Sequence, residues 1–326
     1  MKRFLLPLFS LLIFVPFAAA QPRGEVCETE FVDSKILGEK IHFSIYVPPG
    51  YAKSDMPRRY PVLYLLHGYS DDQTGWTQFG EVRRIADEAI SSGKSAPMII
   101  VMPDAKKTFY VNRADGSYSY EDFFFKELIP HIEANYPVRA KKEFRAVAGL
   151  SMGGYGTFLY ALKHGDMFAA ACPLSAAVQS DDGIRGMPYE RYKNRFNEFF
   201  GEVVGENEDR ITDAWKANSI EHLLKNLADE KKVRTDTWNK MTPDEKKANE
   251  QQRREQSERD RERTVRFYID CGDDDFLLLD NLKVPAWLRE AGVPFEFRIR
   301  NGTHSWSYWR EALPGVMSFV SESFRR

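Results

Sequence analysis

The segment 144–163 constrains the fold more than any other part of the chain. It begins with a short apolar stretch, 144–148, typical of a buried strand, and from Met152 onward its apolar residues recur at helical spacing. Between the two lies Gly149–Gly153, a turn with the pattern G-x-S-x-G and Ser151 at its centre. A side chain at either glycine would collide with the neighbouring strand or helix, so the sequence predicts a sharp strand-to-helix turn.

A serine on such a turn is a candidate nucleophile, because the turn lifts its hydroxyl clear of the end of the strand. The alternative is a glycine-rich turn with an ordinary serine, since the bare pattern is common by chance. The strand before Ser151 and the helix after it favour the nucleophile. The start of that helix also brings the backbone N–H of Met152 toward the reacting oxygen, where it can stabilise an oxyanion.

Strand patterns alternate with helix patterns along the chain, which is typical of a mostly parallel sheet with helices on both faces. The predicted strands are 41–47, 60–66, 96–102, 144–148, 168–174, 265–270 and 294–299. The predicted helices outside the late insertion are 81–91, 120–136, 152–163, 278–291 and 305–324. With 326 residues, 43% of them apolar, the chain can bury one large α/β domain, and we assign it to 21–326.

Residues 181–264 interrupt this alternation, because they contain short amphipathic helix patterns at 191–203 and 220–227 but no buried strand. We expect a helical insertion there, ending in a charged helix that a capping box opens at Thr242. The part 228–263 holds few large apolar residues, so we expect it to project near the carboxyl edge of the sheet, beside Ser151. Trp238 and Met241 would then be able to contact the domain or the substrate.

The charge pattern argues against nucleic acid as a partner. The net charge of the chain is −2, and opposite charges are interspersed through 228–263. A nucleic-acid site needs an excess of positive charge on one surface, whereas mixed charges are typical of a solvated helix.

The first twenty residues have the pattern of a signal peptide. Lys2 and Arg3 precede an apolar stretch, 5–17, and an A-x-A site at 18–20 comes directly before Gln21. The apolar stretch is too short for a comfortable membrane span. We therefore expect a secreted or periplasmic protein, free of the membrane after cleavage.

The cysteines give no sign of a metal site. Cys27, Cys172 and Cys271 are an odd number, so at least one thiol stays unpaired, and we expect Cys172 and Cys271 to be packing residues. No cluster of histidine and cysteine has the spacing of metal ligands, so we expect neither a metal nor a cofactor.

A serine nucleophile needs a base within hydrogen-bond distance and an acid that orients the base. Catalytic groups gather at the carboxyl ends of parallel strands. Asp273–Asp275 follow the predicted strand 265–270, and His304 follows 294–299. Alone, these residues could be a polar loop and a surface histidine, but their order after Ser151 favours an acid and a base.

A second oxyanion donor is expected from a loop that follows an early strand. His67-Gly68-Tyr69 follows the predicted strand 60–66, so we assign the backbone N–H of Tyr69 to this role. An ordinary glycine turn is the alternative.

The chain resembles the esterase D and feruloyl esterase group of α/β-hydrolases, the putative esterase family. The matching stretches, in chain order, are Leu65–Gly68 with Trp76, Tyr120–Phe123 with Glu127–Pro130, Gly149–Gly154, Asp270–Gly272 with Asp275–Leu277, and Gly302–Trp306 with Trp309. In the family pattern the acid directly precedes Phe-Leu, which selects Asp275 and leaves Asp274 as the alternative. The segment 228–263 is longer and more charged than the family pattern implies.

The resemblance and the export signal together imply a secreted serine carboxylesterase. It would act through an acyl-enzyme on carbohydrate- or phenolic-linked esters, such as feruloyl or acetyl groups of plant cell-wall xylan. Aromatic residues near the predicted rim can stack on a phenolic acid or a sugar, although we expect most of them in the core. They are Tyr69, Trp76, Tyr110, Tyr118, Trp306 and Tyr308.

Other functions remain open at this point. Within enzymes they are a siderophore-type or general short-chain esterase and an acyltransferase of the mycolyl type, because transfer and hydrolysis differ only in water access to the acyl-enzyme. A protein of another class would be a non-catalytic carbohydrate-binding protein on a hydrolase scaffold. The sequence does not indicate the oligomeric state.

Overall fold

A computed structural model describes residues 22–51 and 58–324, so the predicted signal peptide, 1–20, lies outside the described residues. Within the described ranges, eight strands form one sheet in the order β1-β2-β4-β3-β5-β6-β7-β8. The strands are β1 (Glu25–Asp33), β2 (Lys40–Val47), β3 (Val62–Leu66), β4 (Ile99–Pro103), β5 (Arg145–Leu150), β6 (Ala170–Leu174), β7 (Arg266–Gly272) and β8 (Phe295–Arg300). From β4 to β8 every neighbouring pair is parallel, and β1 and β2 add an antiparallel edge. The predicted architecture, a mostly parallel sheet, is confirmed.

The inner strands β3, β4, β5 and β6 are almost entirely apolar, apart from Arg145 at the start of β5, because helices cover both of their faces. Every residue of β3, β4, β5 and β6 is buried. Strands with both faces buried read as continuous apolar runs rather than alternating ones. The edge strand β8, in contrast, is only partly buried.

The helices follow the predicted order. In the described part of the chain they are α1 (Gly75–Gln78), α2 (Val82–Ser91), α3 (Tyr120–Phe123), α4 (Ile129–Asn135), α5 (Met152–Lys163), α6 (Asp181–Arg185), α7 (Tyr189–Arg195), α8 (Asn197–Phe200), α9 (Asp213–Asn218), α10 (Ile220–Lys240), α11 (Pro243–Arg263), α12 (Leu278–Asn281), α13 (Val284–Glu290) and α14 (Trp306–Ser323). A π-helical turn joins α3 to α4. None of these helices is both long and apolar enough to cross a membrane.

Two hydrophobic cores lie on opposite faces of the sheet. One contains the apolar side of α2 and α14, with Val82, Leu313 and Val316 among its buried residues. The other contains α4 and α5, with Ile132 and Phe158. Burial of these side chains is the main favourable contribution to folding, at roughly 25 cal/mol per Å² of apolar surface.

The strand register brings the loops of the predicted site to one edge of the sheet. Leu66 pairs with Gly149, so β3 and β5 end together. Leu174 pairs with Leu150 on one side and with Asp270 on the other, so β6 and β7 end at the same level. The loops after β3, β5, β6 and β7 therefore meet at the carboxyl edge.

The helices α6–α11 occupy the chain between β6 and β7, where the helical insertion was expected. The helix α10 continues to Lys240, well past the predicted end at Leu227. Its buried residues lie in its first turns only, and α11 has no buried residue.

The expectation that 228–263 lies beside Ser151 is wrong. Arg263 donates to the carbonyl of Lys163, at the far end of α5 from Ser151 (3.2 Å). Lys231 donates to the carbonyl of Ala291 (2.6 Å), just before β8 begins. The reason is topological: β7 runs parallel to β6, so the chain must cross to the amino edge before β7 can start.

All three cysteines are free. Cys172 and Cys271 are buried, and burial raises the pKa of the Cys271 thiol to about 12, which keeps it protonated. Both residues are packing residues, as expected.

Candidate active site

Ser151 lies in a turn with a backbone conformation that few residues other than glycine adopt. Its φ is 54° and its ψ is −115°. A Cβ atom at Gly149 would lie 2.5 Å from the carbonyl oxygen of Gly153, and one at Gly153 would lie 2.5 Å from that of Leu66. The Ser151 N–H donates to the carbonyl of Leu174 (2.9 Å), which ties the turn to β6. Close packing of three strands and a helix thus holds the serine in this strained conformation.

His304 joins Ser151 to Asp275. Its Nε2 lies 3.0 Å from Ser151 Oγ, and its Nδ1 lies 2.8 Å from Asp275 Oδ2. The three residues come from the loops after β5, β7 and β8, at the carboxyl edge of the sheet. This geometry allows the imidazole to accept the serine proton while the carboxylate holds the other ring nitrogen.

Asp275 is buried, and its surroundings keep it ionised. Burial by itself would raise the pKa of this carboxyl, but hydrogen bonds from His304 and from the Leu277 N–H (2.9 Å) outweigh burial, and the pKa is lowered. A carboxylate that stays charged stabilises the imidazolium that forms on proton transfer.

The neighbouring aspartates have other surroundings. Asp273 and Asp274 are exposed, and it is Asp275 that contacts His304. Asp273 accepts a hydrogen bond from the Gly302 N–H (2.9 Å), which links the loop after β7 to the loop that carries His304.

The sequence did not indicate a functional role for two further residues of this site. Ser175, directly after β6, helps to lower the pKa of the Asp275 carboxyl, and its hydroxyl accepts the indole N–H of Trp309 at 3.1 Å. The Trp309 ring also meets the His304 ring edge to face, at 4.9 Å between centroids. Trp309 was among the family-matching residues, whereas a lone serine after a strand gives no signal of its own.

The two predicted oxyanion donors lie next to Ser151. Met152 is the first residue of α5, where a backbone N–H has no acceptor within the helix. Tyr69 lines the same cleft as Ser151, and a Cβ atom at the preceding Gly68 would lie 3.6 Å from the Ser151 Cβ. The carbonyl oxygen of an ester bound at Ser151 would thus lie near both residues.

His67 fixes the loop that carries Tyr69. Its buried ring lies with Nδ1 2.7 Å from the Gly68 carbonyl oxygen, while Nε2 accepts the Ala105 N–H (2.8 Å). The hydroxyl of Tyr110 donates to the His67 carbonyl (3.0 Å). The loop is therefore positioned before any substrate binds, which is what electrostatic stabilisation requires.

The predicted aromatic residues divide into two groups. Trp76, Tyr110 and Tyr308 are buried core residues. Tyr69 and Trp306 line the cleft of about 350 Å³ around Ser151, and Tyr118 lines the larger cleft beside it. Phe276, which was not singled out, is 72% exposed, and its ring centroid lies 4.6 Å from that of His304. In the described residues, no group of histidine, cysteine and carboxylate side chains could hold a metal ion.

Comparison with known proteins identifies a family and several relatives. The model of a family described as "Putative esterase" matches residues 34–319. The chain is 35% identical over 164 residues to an endo-1,4-beta-xylanase/feruloyl esterase of Xylanibacter ruminicola, covering 49% of this chain and 23% of that protein. It is 22% identical over 262 residues to an acetyl esterase of Caldicellulosiruptor saccharolyticus, covering 80% of this chain and 83% of that protein.

Solved structures show the same fold. A ferulic acid esterase superposes with a TM-score of 0.66 at 30% identity, covering 93% of this chain and 99% of the other. FphF, a fluorophosphonate-binding serine hydrolase of Staphylococcus aureus, superposes with a TM-score of 0.68 at 23% identity, over 92% and 99% of the two chains.

Proposed function

The chain belongs to the Putative esterase family of α/β-hydrolases and is a serine esterase; from this premise we propose that it hydrolyses feruloyl or acetyl esters of plant cell-wall xylan through Ser151, His304 and Asp275. The observation that carries the catalytic assignment is the contact of His304 with both partners, 3.0 Å to Ser151 Oγ and 2.8 Å to Asp275 Oδ2. A serine hydroxyl is a poor nucleophile without such a base.

The reaction proceeds in two halves. Ser151 Oγ attacks the ester carbonyl while His304 Nε2 takes its proton, and the Tyr69 and Met152 N–H groups stabilise the oxyanion. The tetrahedral intermediate then expels the alcohol, which receives the proton from His304 and leaves the acyl group on Ser151. Water, deprotonated by His304, attacks the acyl-enzyme, and the carboxylic acid is released as His304 returns the proton to Ser151 Oγ. Asp275 holds the imidazole in place and stabilises its charged form throughout.

The substrate class rests on the relatives and on the rim of the cleft. A structure similar over nearly the whole chain is a ferulic acid esterase, and the curated relatives carry feruloyl and acetyl esterase in their names. The faces of Phe276, Trp306 and Tyr69 at the cleft suit a phenolic acid or a sugar ring.

We place the reaction outside the cytoplasm because residues 1–20 have the pattern of a signal peptide. Polymeric xylan does not enter cells, so a protein that removes its esters needs export. N-terminal sequencing of the protein from the culture medium or periplasm would test this placement, with Gln21 as the expected first residue.

The experiment that tests the function is a substrate panel of methyl ferulate, acetylated xylan and p-nitrophenyl acetate. We expect hydrolysis of all three, and Ser151→Ala should lower turnover by about 10⁶-fold with little change in thermal unfolding. A loss of only a fewfold would exclude Ser151 as the nucleophile. Release of free ferulate or acetate in the presence of an added alcohol would distinguish hydrolysis from acyl transfer.

A further inference from the structure

A second cleft opens beside the catalytic one. Its volume is about 910 Å³, and its walls are the loop after β3, the segment 106–118 after β4, and the segment 193–202, which contains the end of α7 and all of α8. Tyr69, Asp71 and Arg195 line both clefts, so the two adjoin. A substrate whose ester carbonyl lies at Ser151 would extend into this space.

Arg195 stands at the junction of the two clefts. Its guanidinium lies 4.5 Å from the centre of the Tyr69 ring, and it is partly buried. Its Nε is buried without a hydrogen-bond acceptor among the described residues, and no carboxylate there forms an ion pair with it. Burial lowers the pKa of this guanidinium, yet an arginine stays charged at any physiological pH.

The other arginine of this cleft shows the contrast. Its Nε is buried without an acceptor in the described part of the chain, as in Arg195, but Arg113 forms an ion pair with Glu198 at 2.7 Å, so its charge is already compensated. Lys106 likewise pairs with Glu39. Lys107, whose Nζ lies 5.1 Å from the Tyr69 ring, adds positive charge on the same ring as Arg195.

Glu202 at the edge of this cleft is exposed and forms no ion pair with Arg195 among the described residues, and two other acidic side chains nearby are turned to other partners. Asp71 packs against its own loop, with its carboxylate 3.2 Å from a Cβ position at Gly68, and burial raises its pKa. Asp115 accepts hydrogen bonds from the N–H and the hydroxyl of Ser117. Neither carboxylate compensates Arg195.

We propose that Arg195, assisted by Lys107, forms an anion-binding subsite for a carboxylate that the ester substrate carries at a distance from the scissile bond. A guanidinium binds a carboxylate through two parallel hydrogen bonds, and partial burial strengthens the attraction. The subsite rests on the proposed function, because it serves the same catalytic serine. It makes Arg195 a specificity-determining residue for esters of acidic compounds.

Two matched substrate pairs test the subsite and show whether it binds a carboxylate on the acyl side or on the alcohol side of the ester. Mono-p-nitrophenyl succinate and p-nitrophenyl butyrate differ by a carboxylate on the acyl side. Para-acetoxybenzoate and its methyl ester differ by a carboxylate on the alcohol side. For each pair the quantity compared is the ratio of kcat/KM for the anionic and the neutral member, so intrinsic reactivity cancels between protein variants.

Arg195→Gln should lower this ratio about tenfold to a hundredfold for at least one pair, chiefly through KM, because a charge-assisted hydrogen bond is lost. Arg195→Lys, which keeps the charge, should restore part of it. The matched control is Arg113→Gln in the same cleft, and it should leave the ratio unchanged because Glu198 already neutralises Arg113.

The salt response of the unaltered protein gives a test that needs no variant. Added NaCl should lower kcat/KM for the anionic member of the pair more than for the neutral member. Equal salt responses, or equal ratios in the wild type and Arg195→Gln for both pairs, would overturn the subsite. A failure of the proposed function has another signature: the wild type would then hydrolyse no ester in a Ser151-dependent way.

Discussion

Trp309 donates its indole N–H to the hydroxyl oxygen of Ser175 at 3.1 Å. Both residues are buried, and Ser175 has a φ of 43°, so packing holds its hydroxyl in one place. The same hydroxyl helps to lower the pKa of the Asp275 carboxyl, which in turn binds His304. A buried line of polar groups thus runs from α14 to Ser151.

Ser175→Ala should therefore lower kcat by about tenfold while KM changes little, because Asp275 loses a polar neighbour that favours its charged form. The pKa of Asp275 should rise without this hydroxyl, and a more basic carboxylate holds the proton of His304 more strongly, so the acidic limb of the pH–activity profile should move to higher pH. Trp309→Phe keeps the ring packing and should have a smaller effect in the same direction. An unshifted pH profile in Ser175→Ala would contradict this positioning role.

Asp275→Asn should reduce turnover by roughly 10⁴-fold, since an amide cannot hold the imidazole in the required tautomer. Asp274→Asn is the matched control on the same loop, and its exposed side chain should matter only fewfold. Steady-state hydrolysis of p-nitrophenyl acetate measures both. A greater loss in Asp274→Asn would show that Asp274, and not Asp275, is the acid of the triad.

Glu121 should make stability depend on pH. This buried carboxylate binds Lys163 at 2.6 Å and His164 at 2.8 Å. Burial would raise its pKa, but these two partners outweigh burial and lower it below the ordinary 4.5. The stabilisation by ionised Glu121 is therefore present above the unfolded-state pKa and is lost as the pH falls through the lowered, folded-state pKa.

Glu121→Gln should accordingly cost about 3 kcal/mol in the free energy of unfolding near neutral pH. The difference from the wild type should narrow as the pH falls below the unfolded-state pKa, about 4.5 for an ordinary glutamate, and then through the lowered pKa of the folded state. Urea unfolding of both proteins near neutral pH and at acidic pH measures this difference in the free energy of unfolding. As a control, Glu250→Gln removes an exposed carboxylate paired with Arg254 and should cost less than about 1 kcal/mol. A difference independent of pH would show that Glu121 stabilises by packing alone.

Replacing 228–263 with a short Gly/Ser linker should leave a folded, active esterase. Leu227 and Thr264 line one groove, so a short linker can join them. In the described structure, no residue of this segment lines the catalytic cleft or the cleft beside it. Turnover of p-nitrophenyl acetate and of acetylated xylan should therefore both be retained. Selective loss of the xylan activity would mean that the segment binds substrate, and an insoluble protein would mean that it belongs to the core.

Local patterns in the sequence were sufficient for most of the fold. The predicted helix 152–163 is α5 residue for residue, and the predicted strand 41–47 differs from β2 by one residue. The strand β1 was missed because a bulge between Cys27 and Glu30 breaks its alternation, and because charged residues occupy its exposed face. The predicted helix ended at Leu227, too early for α10, because the rest of this helix is exposed and lacks the apolar periodicity from which a helix is predicted.

The sequence by itself determined that Ser151, one of three neighbouring aspartates, and His304 would share an edge. Parallel strands all end on the same side, so any residue that follows such a strand is placed there without knowledge of the packing. The family pattern then selected Asp275, the aspartate that the structure brings to His304.

Only the tertiary structure decided which side chains support that site and which surround it. Ser175 and Trp309 are 134 positions apart, and nothing local in either stretch signals that they meet. Arg195 reaches the catalytic cleft from an insertion whose own sequence indicates only short helices. Such contacts depend on how helices pack across a sheet, and packing is a property of the whole chain, whereas periodicity and turn chemistry act over a few residues.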